Sequence, residues 1–446
     1  MRNVYIKTLG CKVNAYDSEV LVGQLLARGF KVTDQVAEAD VAVINSCSVT
    51  AKADQETRHL ARRFRRANPN SVVVVTGCYA QTDSARLAAM DEIDLVVPNA
   101  VKEQFGDLVH QKMSGQTDPA NKIPDGLELV QENRQEHFKS SITLFDHPES
   151  QRTRTFLKIQ DGCNGFCTYC LIPYARGASR SVPLPQVLKA LENLAGQQVP
   201  EVVLTGIHIG DYGHDHGEPE GLAHLLRRAL TIPGIPRIRI SSLEPSEVTP
   251  ALLEVFKAAR DQFCPHFHLP LQSGSNRILR LMRRSYKAEE YLSAIESLRR
   301  IFPRSCIGAD VIPGFPGETD DDHKATLDLL NQCNVNYLHV FPYSARPNTA
   351  ALKMPGHLHG DIVRQRAAAL RQWSDDAKLS YSRNWIGETV QALWEKDWDE
   401  AGRCKGRTAE YVDVVAGPGV RAEPGEFETV VLVGLVANGS LLAKKL

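Results

Sequence analysis

The chain has 446 residues, with Lys+Arg 52 against Asp+Glu 53, a net charge of −1, and 43% hydrophobic residues. At roughly 100–200 residues per domain this is about two to four domains, and the charge balance excludes a protein that holds nucleic acid by bulk charge alone. No apolar run approaches the roughly 18–20 residues of a membrane helix, and Met1–Ile6 enters a strand pattern with no secretory signal, so the expected compartment is the reducing cytoplasm and the 10 cysteines are ligands, catalysts or core residues rather than disulfides.

Asn3–Thr8 reads as a strand and Asn14–Arg28 as a helix, with Val20, Leu21, Leu25 and Leu26 at helical spacing. Asp40–Asn45 is the next strand, followed by a polar helix through Arg66. Ser71–Thr76 is β-branched and bounded by Asn70 and Gly77, and Ile93–Val97 makes a fourth strand. Strands alternating with helices predict an open parallel α/β sheet over residues 1–113. Residues 114–148 are polar, with Gly115, Pro119, Pro124, Gly126 and Pro148, and read as a linker.

From Thr153 the alternation resumes. Strands are predicted at Thr155–Gln160, Glu201–Gly206, Arg237–Ser242, His266–Leu271, Ile307–Ile312 and Tyr337–Phe341. Helices are predicted at Pro183–Leu194, Ala288–Ile301 and Asp320–Gln332. Six units fall short of the eight of a full barrel, so a partial (β/α)6 barrel over residues 149–378 is expected. It ends in a long helix, Gly360–Tyr381. Residues 379–446 turn to short strands, Val390–Glu395, Thr408–Val415 and Phe427–Val433, between glycine-rich turns. They predict a small antiparallel β-barrel.

Cys163, Cys167 and Cys170 lie within eight residues, where chance predicts about 0.005 such triplets. A structural zinc site wants a fourth ligand, and no Cys or His adjoins. Three thiolates on a 4Fe-4S cluster leave one iron open for a substrate. The loop follows the first strand of the array, at the end where barrel active sites lie. Cys11, Cys47 and Cys78 are far apart, yet each follows the C-terminal end of a predicted parallel strand, the edge at which open α/β sheets bind ligands. The bland alternatives are structural zinc or unconnected core cysteines for the first triplet and three buried small residues for the second.

The CxxxCxxC spacing in this place resembles the radical S-adenosylmethionine (SAM) superfamily. With the second triad it resembles the methylthiotransferases of that superfamily, over nearly the whole chain. The resemblance implies that Cys163, Cys167 and Cys170 hold a 4Fe-4S cluster whose fourth iron binds SAM and which cleaves it to a radical. It implies a second 4Fe-4S cluster on Cys11, Cys47 and Cys78 that delivers sulfur, a second SAM that supplies the methyl group, and a C-terminal barrel similar to TRAM, an RNA-binding domain. Tyr169 is a candidate to pack on the adenine of SAM. Thr205, Gly206, Ser242, Glu244, Gln272 and Ser273, at strand ends, are candidates for the cofactor pocket, with His208 and Pro313–Gly317 at the same face.

Gly10–Asn14, Ser48–Asp54, Thr76–Gln81 and Leu204–His208 look like the branch acting on N6-threonylcarbamoyladenosine at position 37 of tRNA. Ala51 departs from it, standing where a larger polar residue is expected. The alternatives are isopentenyladenosine in tRNA, a ribosomal protein, or a non-catalytic metal-bearing RNA-binding protein. The expected partners are a tRNA anticodon stem-loop and a reducing electron-donor protein, with no membrane, and the chain is expected to be a monomer. RNA contacts are sought at Arg58, Arg62, Arg63, Arg65 and Arg66, and at Arg403, Lys405 and Arg407 with Trp394, Trp398 or Tyr411 for stacking. Cys264, Cys306, Cys333 and Cys404 read as structural. His208, His214 and His216 with Asp211 and Asp215 read as a polar loop, and His266 and His268 as one face of a strand without a catalytic role.

Overall fold

The computed structural model describes residues 2–115 and 153–446, so residues 116–148 of the expected linker lie outside the described residues. Two compact units divide the chain. One comprises Met1–Phe145, Gln160–Val182 and Ser344–Leu352, and the other Asp146–Ile159, Pro183–Tyr343 and Lys353–Leu446.

The first unit is built on five strands: β1 (Arg2–Thr8), β2 (Phe30–Val32), β3 (Val41–Ser46), β4 (Val72–Gly77) and β5 (Leu95–Pro98). Their order is β2-β1-β3-β4-β5 and every pair is parallel. Helices cover both faces. Ala42, Ile44, Val73 and Val75 pack on Leu60 and Phe64 of the helix Ala51–Ala67. Val4, Val43 and Val74 pack on Leu21, Leu25, Phe105 and Val109. All six residues of β3 are buried, as a central parallel strand requires. The edge strand β2 escaped the sequence reading because three residues carry no period. A two-residue ribbon, β7 (Gln160–Asp161) against β8 (Arg180–Ser181), closes the loop that carries Cys163, Cys167 and Cys170.

The second unit begins with β6 (Arg154–Lys158), β9 (Glu201–Thr205) and β10 (Arg237–Ile240), parallel in the order β10-β9-β6. A second parallel set is β11 (His266–His268), β12 (Cys306–Val311) and β13 (Tyr337–Val340). Bridges from Ile238 to Phe263 and from Ser242 to His268 join β10 to β11. Six parallel strands thus follow one another in sequence order, as the count of six repeats predicted. Phe267 packs against Phe256 and Phe302 on the helical side, so His266 and His268 turn inward. The interior is polar. Glu201, fully buried, accepts from Arg239 Nε at 2.7 Å and Arg237 Nη2 at 2.7 Å, with Arg154 at 4.0 Å.

The same unit ends in a closed barrel of β14 (Thr389–Trp398), β15 (Cys404–Thr408), β16 (Asp413–Ala416), β17 (Phe427–Leu435) and β18 (Leu441–Lys445). Two details correct the sequence reading. Thr408–Val415 is not one strand, because Tyr411 takes φ +69 and turns the chain between β15 and β16. The barrel is antiparallel except where β16 pairs parallel with β18, a strand the sequence reading missed. The turn has a use: the Tyr411 ring stacks on His266 at 3.8 Å, and Arg239 donates to the carbonyls of Thr408 and Ala409.

Burial raises the Glu201 pKa, but the Arg239, Arg237 and Arg154 charges more than offset it and bring it from 4.5 to about 2. The stabilisation is therefore complete above pH 4.5 and lost as pH falls toward 2. Glu201→Gln leaves the Arg239 guanidinium buried without its counter-charge and should cost about 3–5 kcal/mol near neutral pH. Denaturant unfolding at pH 7 and pH 3 should show that difference shrinking in acid; equal stability at pH 7 would refute it.

Candidate metal centres

β1, β3 and β4 are neighbours in the sheet, and Cys11, Cys47 and Cys78 follow their C-terminal ends. Glycines let the three loops close on one another. Gly10 has φ +90, and a Cβ there would lie 2.8 Å from Cys47 Sγ. Gly77 has φ +94, and its Cβ would lie 2.4 Å from the Ser46 carbonyl oxygen. Polar side chains then fix the loops. Asn14 donates to the carbonyls of Leu9 at 2.8 Å and Ser46 at 2.9 Å, flanking Cys11 and Cys47. Ser46 Oγ accepts from Tyr79 N at 3.2 Å and Ala80 N at 3.3 Å, seating the turn that starts at Cys78. Asn99 Nδ2 lies 3.9 Å from Cys78 Sγ.

In the second loop, Cys163 N donates to the Gly177 carbonyl at 3.1 Å, and Gly162 has φ +76 where any Cβ would strike Ala178 O at 1.9 Å. Gly165 N lies 3.3 Å from Cys163 Sγ, and a Cβ on Gly165 would sit 3.9 Å from Cys167 Sγ. Ile172 N reaches Cys170 Sγ at 3.4 Å. The three cysteines are partly exposed, so the loop can admit a ligand. Backbone N–H groups aimed at thiol sulfurs are suited to thiolates that ligate a metal cluster.

Arg176, on the short helix Ile172–Arg176 after Cys170, joins the two loops and was not foreseen from sequence. It is 2% exposed. Nη1 meets both Asp161 oxygens at 3.0 Å, and Nη2 donates to Asn14 Oδ1 at 2.5 Å and Asp17 Oδ2 at 3.1 Å. Lys102 also reaches Asp17, at 3.1 Å. The neighbouring Ala175 carbonyl accepts from Asn99 at 2.9 Å. A second buried arginine, Arg346, reaches Ser48 Oγ at 2.9 Å and the Asp54 carboxylate beside Cys47. Ala351 N donates to the Thr168 carbonyl at 2.8 Å. Both cysteine triads therefore belong to one rigidly bonded polar framework.

The donor set fits two metal clusters. Burial, then repulsion from Cys78, pushes the Cys47 thiol up to about 12, so without a metal the thiolate is disfavoured. Arg176 and Lys102 are already matched by Asp161 and Asp17, and added thiolates call for added positive charge. The Arg176 Nε–H is buried and has no acceptor among the described residues, a donor that a bound group would satisfy.

The candidate SAM residues in the barrel differ in availability. Gly206 and Ser242 are partly exposed at strand ends. Thr205 is buried and its carbonyl accepts from Ile159 N at 2.9 Å. Glu244 pairs with Arg284 at 2.5 Å. Gln272 takes φ +65 and donates through its backbone to Asp310 O at 2.7 Å. The Ser273 hydroxyl is buried, accepting from Ser275 N at 3.2 Å beside Thr326. His208 meets Asp211, grouped with it in the sequence, and also Glu247, which the sequence did not connect, while His214 and His216 stay exposed in paired contacts. The RNA expectations need correction. Trp394 is fully buried and donates to Glu428, and Tyr411 is stacked on His266, so neither offers a free face; Trp398 is 54% exposed. Arg403, Lys405 and Arg407 each pair with an acid: Asp399, Asp397 and Asp413. Arg58 donates to Tyr79 OH and Arg65 pairs with Asp94, leaving Arg62, Arg63 and Arg66 as the exposed members of that helix.

A three-cysteine loop leaving the first strand of a partial parallel barrel defines the radical SAM class of enzymes. Family comparison agrees. Residues 157–330 match the profile of the radical SAM superfamily, and residues 3–98 match one described as uncharacterized protein family UPF0004. The chain is 37% identical over 390 residues to the threonylcarbamoyladenosine tRNA methylthiotransferase MtaB of Aquifex aeolicus, covering 87% of this chain and 92% of that one. It is 36% identical over 418 residues to its namesake from Bacillus subtilis, covering 93% and 90%. It is 33% identical to the tRNA-2-methylthio-N(6)-dimethylallyladenosine synthase of Syntrophus aciditrophicus, covering 88% and 84%. Among solved structures, TsrM from Kitasatospora setae, a radical SAM methyltransferase with cobalamin and a [4Fe-4S] cluster bound, superposes with TM-score 0.58 at 16% identity. That match covers 78% of this chain and 77% of the other, and it speaks to the fold alone. The chain belongs to the radical SAM tRNA methylthiotransferase family. It is an enzyme of that kind, with SAM and 4Fe-4S clusters as cofactors.

Arg176→Met should leave the buried Asp161 to the more distant Arg180 and Asp17 to Lys102, and destabilise the first unit by up to about 3–5 kcal/mol. Arg176→Lys, which keeps the charge but loses the two-pronged geometry, should recover part of it. Thermal unfolding of cluster-free protein measures both; unchanged melting of the Met variant would mean that the guanidinium is not holding the loops.

Proposed function

We propose that this enzyme inserts a methylthio group at C2 of N6-threonylcarbamoyladenosine at position 37 of tRNA, using two SAM molecules and two 4Fe-4S clusters. Cys163, Cys167 and Cys170 hold the cluster that binds SAM, and Cys11, Cys47 and Cys78 hold the second. When bound, the first supplies the radical chemistry that activates the target carbon and the second supplies the sulfur. The chain's own part is to hold six thiolates in two open-sided sets, to brace them through Arg176, Asn14 and Ser46, and to present the base. Tyr169, Thr205, Gly206, Ser242, Glu244, Gln272 and Ser273 remain the proposed surroundings of SAM. Gly206 and Ser242 have the freest access, and Ser273 acts through its turn rather than its hydroxyl.

One observation carries the mechanism: three cysteines end three adjacent parallel strands, and a shared hydrogen-bonded framework ties them to the Cys163 loop. The nucleoside is supported by Gly10–Asn14 and by relatives named for threonylcarbamoyladenosine. The proposed organisation is 1–113, linker 114–148, 149–378 and 379–446, with the last part meeting RNA. No helix among the described residues is long and apolar enough to cross a membrane, and we place the reaction in the cytoplasm, on the tRNA anticodon stem-loop of a monomeric enzyme served by a reducing electron-donor protein.

Anaerobic reconstitution should yield roughly eight irons per chain. Cys163→Ala should abolish reductive SAM cleavage. Cys47→Ala should keep SAM cleavage, lose about half the iron and make no methylthio product. Nucleoside mass spectrometry of tRNA from cells lacking the protein should show unthiolated threonylcarbamoyladenosine accumulating. Product from the Cys47 variant would overturn the second cluster, and loss of only the dimethylallyl product would overturn the nucleoside.

A further inference from the structure

Three residues on adjacent barrel strands have no role in the foregoing. His268 on β11, Asp310 on β12 and His339 on β13 bring one ligating atom each within 4.8 Å of the others. His268 Nε2 lies 2.8 Å and His339 Nδ1 3.2 Å from Asp310 Oδ1. The Tyr337 hydroxyl lies 3.3 Å from His268 Nδ1 and 2.9 Å from His266 Nε2. Burial disfavours the Asp310 carboxylate, but the charge and hydrogen bond of His268, with those of His339, hold its pKa well below the usual carboxylate range.

An ionised carboxylate can only accept, so both imidazoles donate to it. In the neutral form of His339, donation from Nδ1 to Asp310 leaves the lone pair on Nε2. The two histidines then differ in access. The His268 side chain is 6% exposed, whereas that of His339 is 56% exposed. His339 thus offers an oriented acceptor among the C-terminal halves of the barrel strands, toward the end where barrel enzymes take their substrates. The ring cannot swing freely, because Asp310 is itself held by the buried His268. Gly308, whose Cβ would strike the Tyr337 ring at 2.2 Å, makes room for that ring on the strand that carries Asp310.

We propose that His339 is a specificity residue whose Nε2 accepts a hydrogen bond from a hydroxyl on the N6 substituent of the target adenosine, with Asp310 and His268 as its positioning residues. The inference rests on the threonylcarbamoyl reading above, since that substituent carries a hydroxyl and a dimethylallyl group does not. A site built to pair a substrate hydroxyl rejects an analogue that lacks one, because the acceptor that the bound substrate covers is left unpaired.

The test uses reconstituted full-length enzyme and anticodon stem-loop oligonucleotides. Position 37 carries N6-threonylcarbamoyladenosine, the same group without its side-chain hydroxyl, or dimethylallyladenosine. Wild type should favour the hydroxylated substrate over the deoxy analogue in kcat/KM by about tenfold or more. His339→Ala should lose most of that preference, falling on the hydroxylated substrate far more than on the deoxy one. His339→Gln, which keeps an acceptor, should regain part of it. His339 is largely exposed, and iron content with melting temperature will identify a variant that misfolds; the Gln variant then carries the comparison. Equal losses on both substrates, or an unchanged preference, would overturn the role of His339 while leaving the nucleoside assignment standing. Stoichiometric zinc binding that His339→Ala abolishes would make the cluster a metal site and overturn it as well. Wild type that modifies only the dimethylallyl oligonucleotide would remove the nucleoside assignment and this inference together.

Discussion

A guanidinium with no access to water sits between the two cysteine loops, and the arrangement of the first unit follows from what it requires. Arg176 at 2% exposure needs carboxylates at both ends of its fork. Asp161 supplies one from the loop of Cys163, and Asp17 with Asn14 supplies the other from the helix that begins after Cys11. Asp17 also meets Lys102 at 3.1 Å, whereas Asp161 has Arg176 at 3.0 Å and Arg180 only at 4.0 Å. The guanidinium therefore ties the two loops together, and a displacement of either would break its contacts to one of them. Packing alone tolerates small shifts; a two-pronged ion pair does not.

The parallel sheet explains why three distant cysteines meet. In a parallel sheet every strand leaves at the same edge, so residues just past β1, β3 and β4 share a rim although they are far apart in sequence. Glycines at 10 and 77 give the backbones the close approach that this rim demands, and Ser46 and Asn14 satisfy the backbone groups exposed there. The edge therefore supplies soft ligands, fixed donors and one buried cation. Those are the elements that hold and electrically balance an anionic metal–sulfur group.

The central strands were legible because a strand between two helical layers writes itself as an apolar run, as in Val72–Val75, while the short edge strand β2 and the last barrel strand β18 carried no such run. The cysteine positions were legible because their distance from strand ends repeats. Arg176, Arg346 and Asp310 left no such mark. An arginine in Tyr174–Arg180 looks like any surface arginine, and its burial is decided by Asp161 at 15 residues together with Asp17 and Asn14 at 159 and 162. The aromatic residues of the last barrel misled for the opposite reason. Trp394 and Tyr411 match the composition of a stacking surface, yet one fills the barrel core and the other spans to His266. The break at Tyr411 was hidden because the residues on either side of it, Thr408 and Val412–Val415, are β-branched or alternate like a continuous strand.

The near-zero net charge takes on a narrower meaning once the partners of the basic residues are known. Glu201 absorbs three arginines, Asp161 and Asp17 absorb Arg176 and Lys102, and acids pair each basic residue of the expected C-terminal cluster. Those basic residues are already matched by acids and are less available to phosphate. Affinity that depends weakly on phosphate contacts has to come from elsewhere, and for a single modified nucleotide the remaining source is the base and its substituent. In the second unit, His266, His268, His339, Tyr337 and Asp310 hold one another through hydrogen bonds. An enzyme that recognises its target chiefly through one nucleotide can ignore the sequence of the surrounding RNA. Under the proposed function, the same economy would make the N6 substituent the feature that selects which tRNAs are modified.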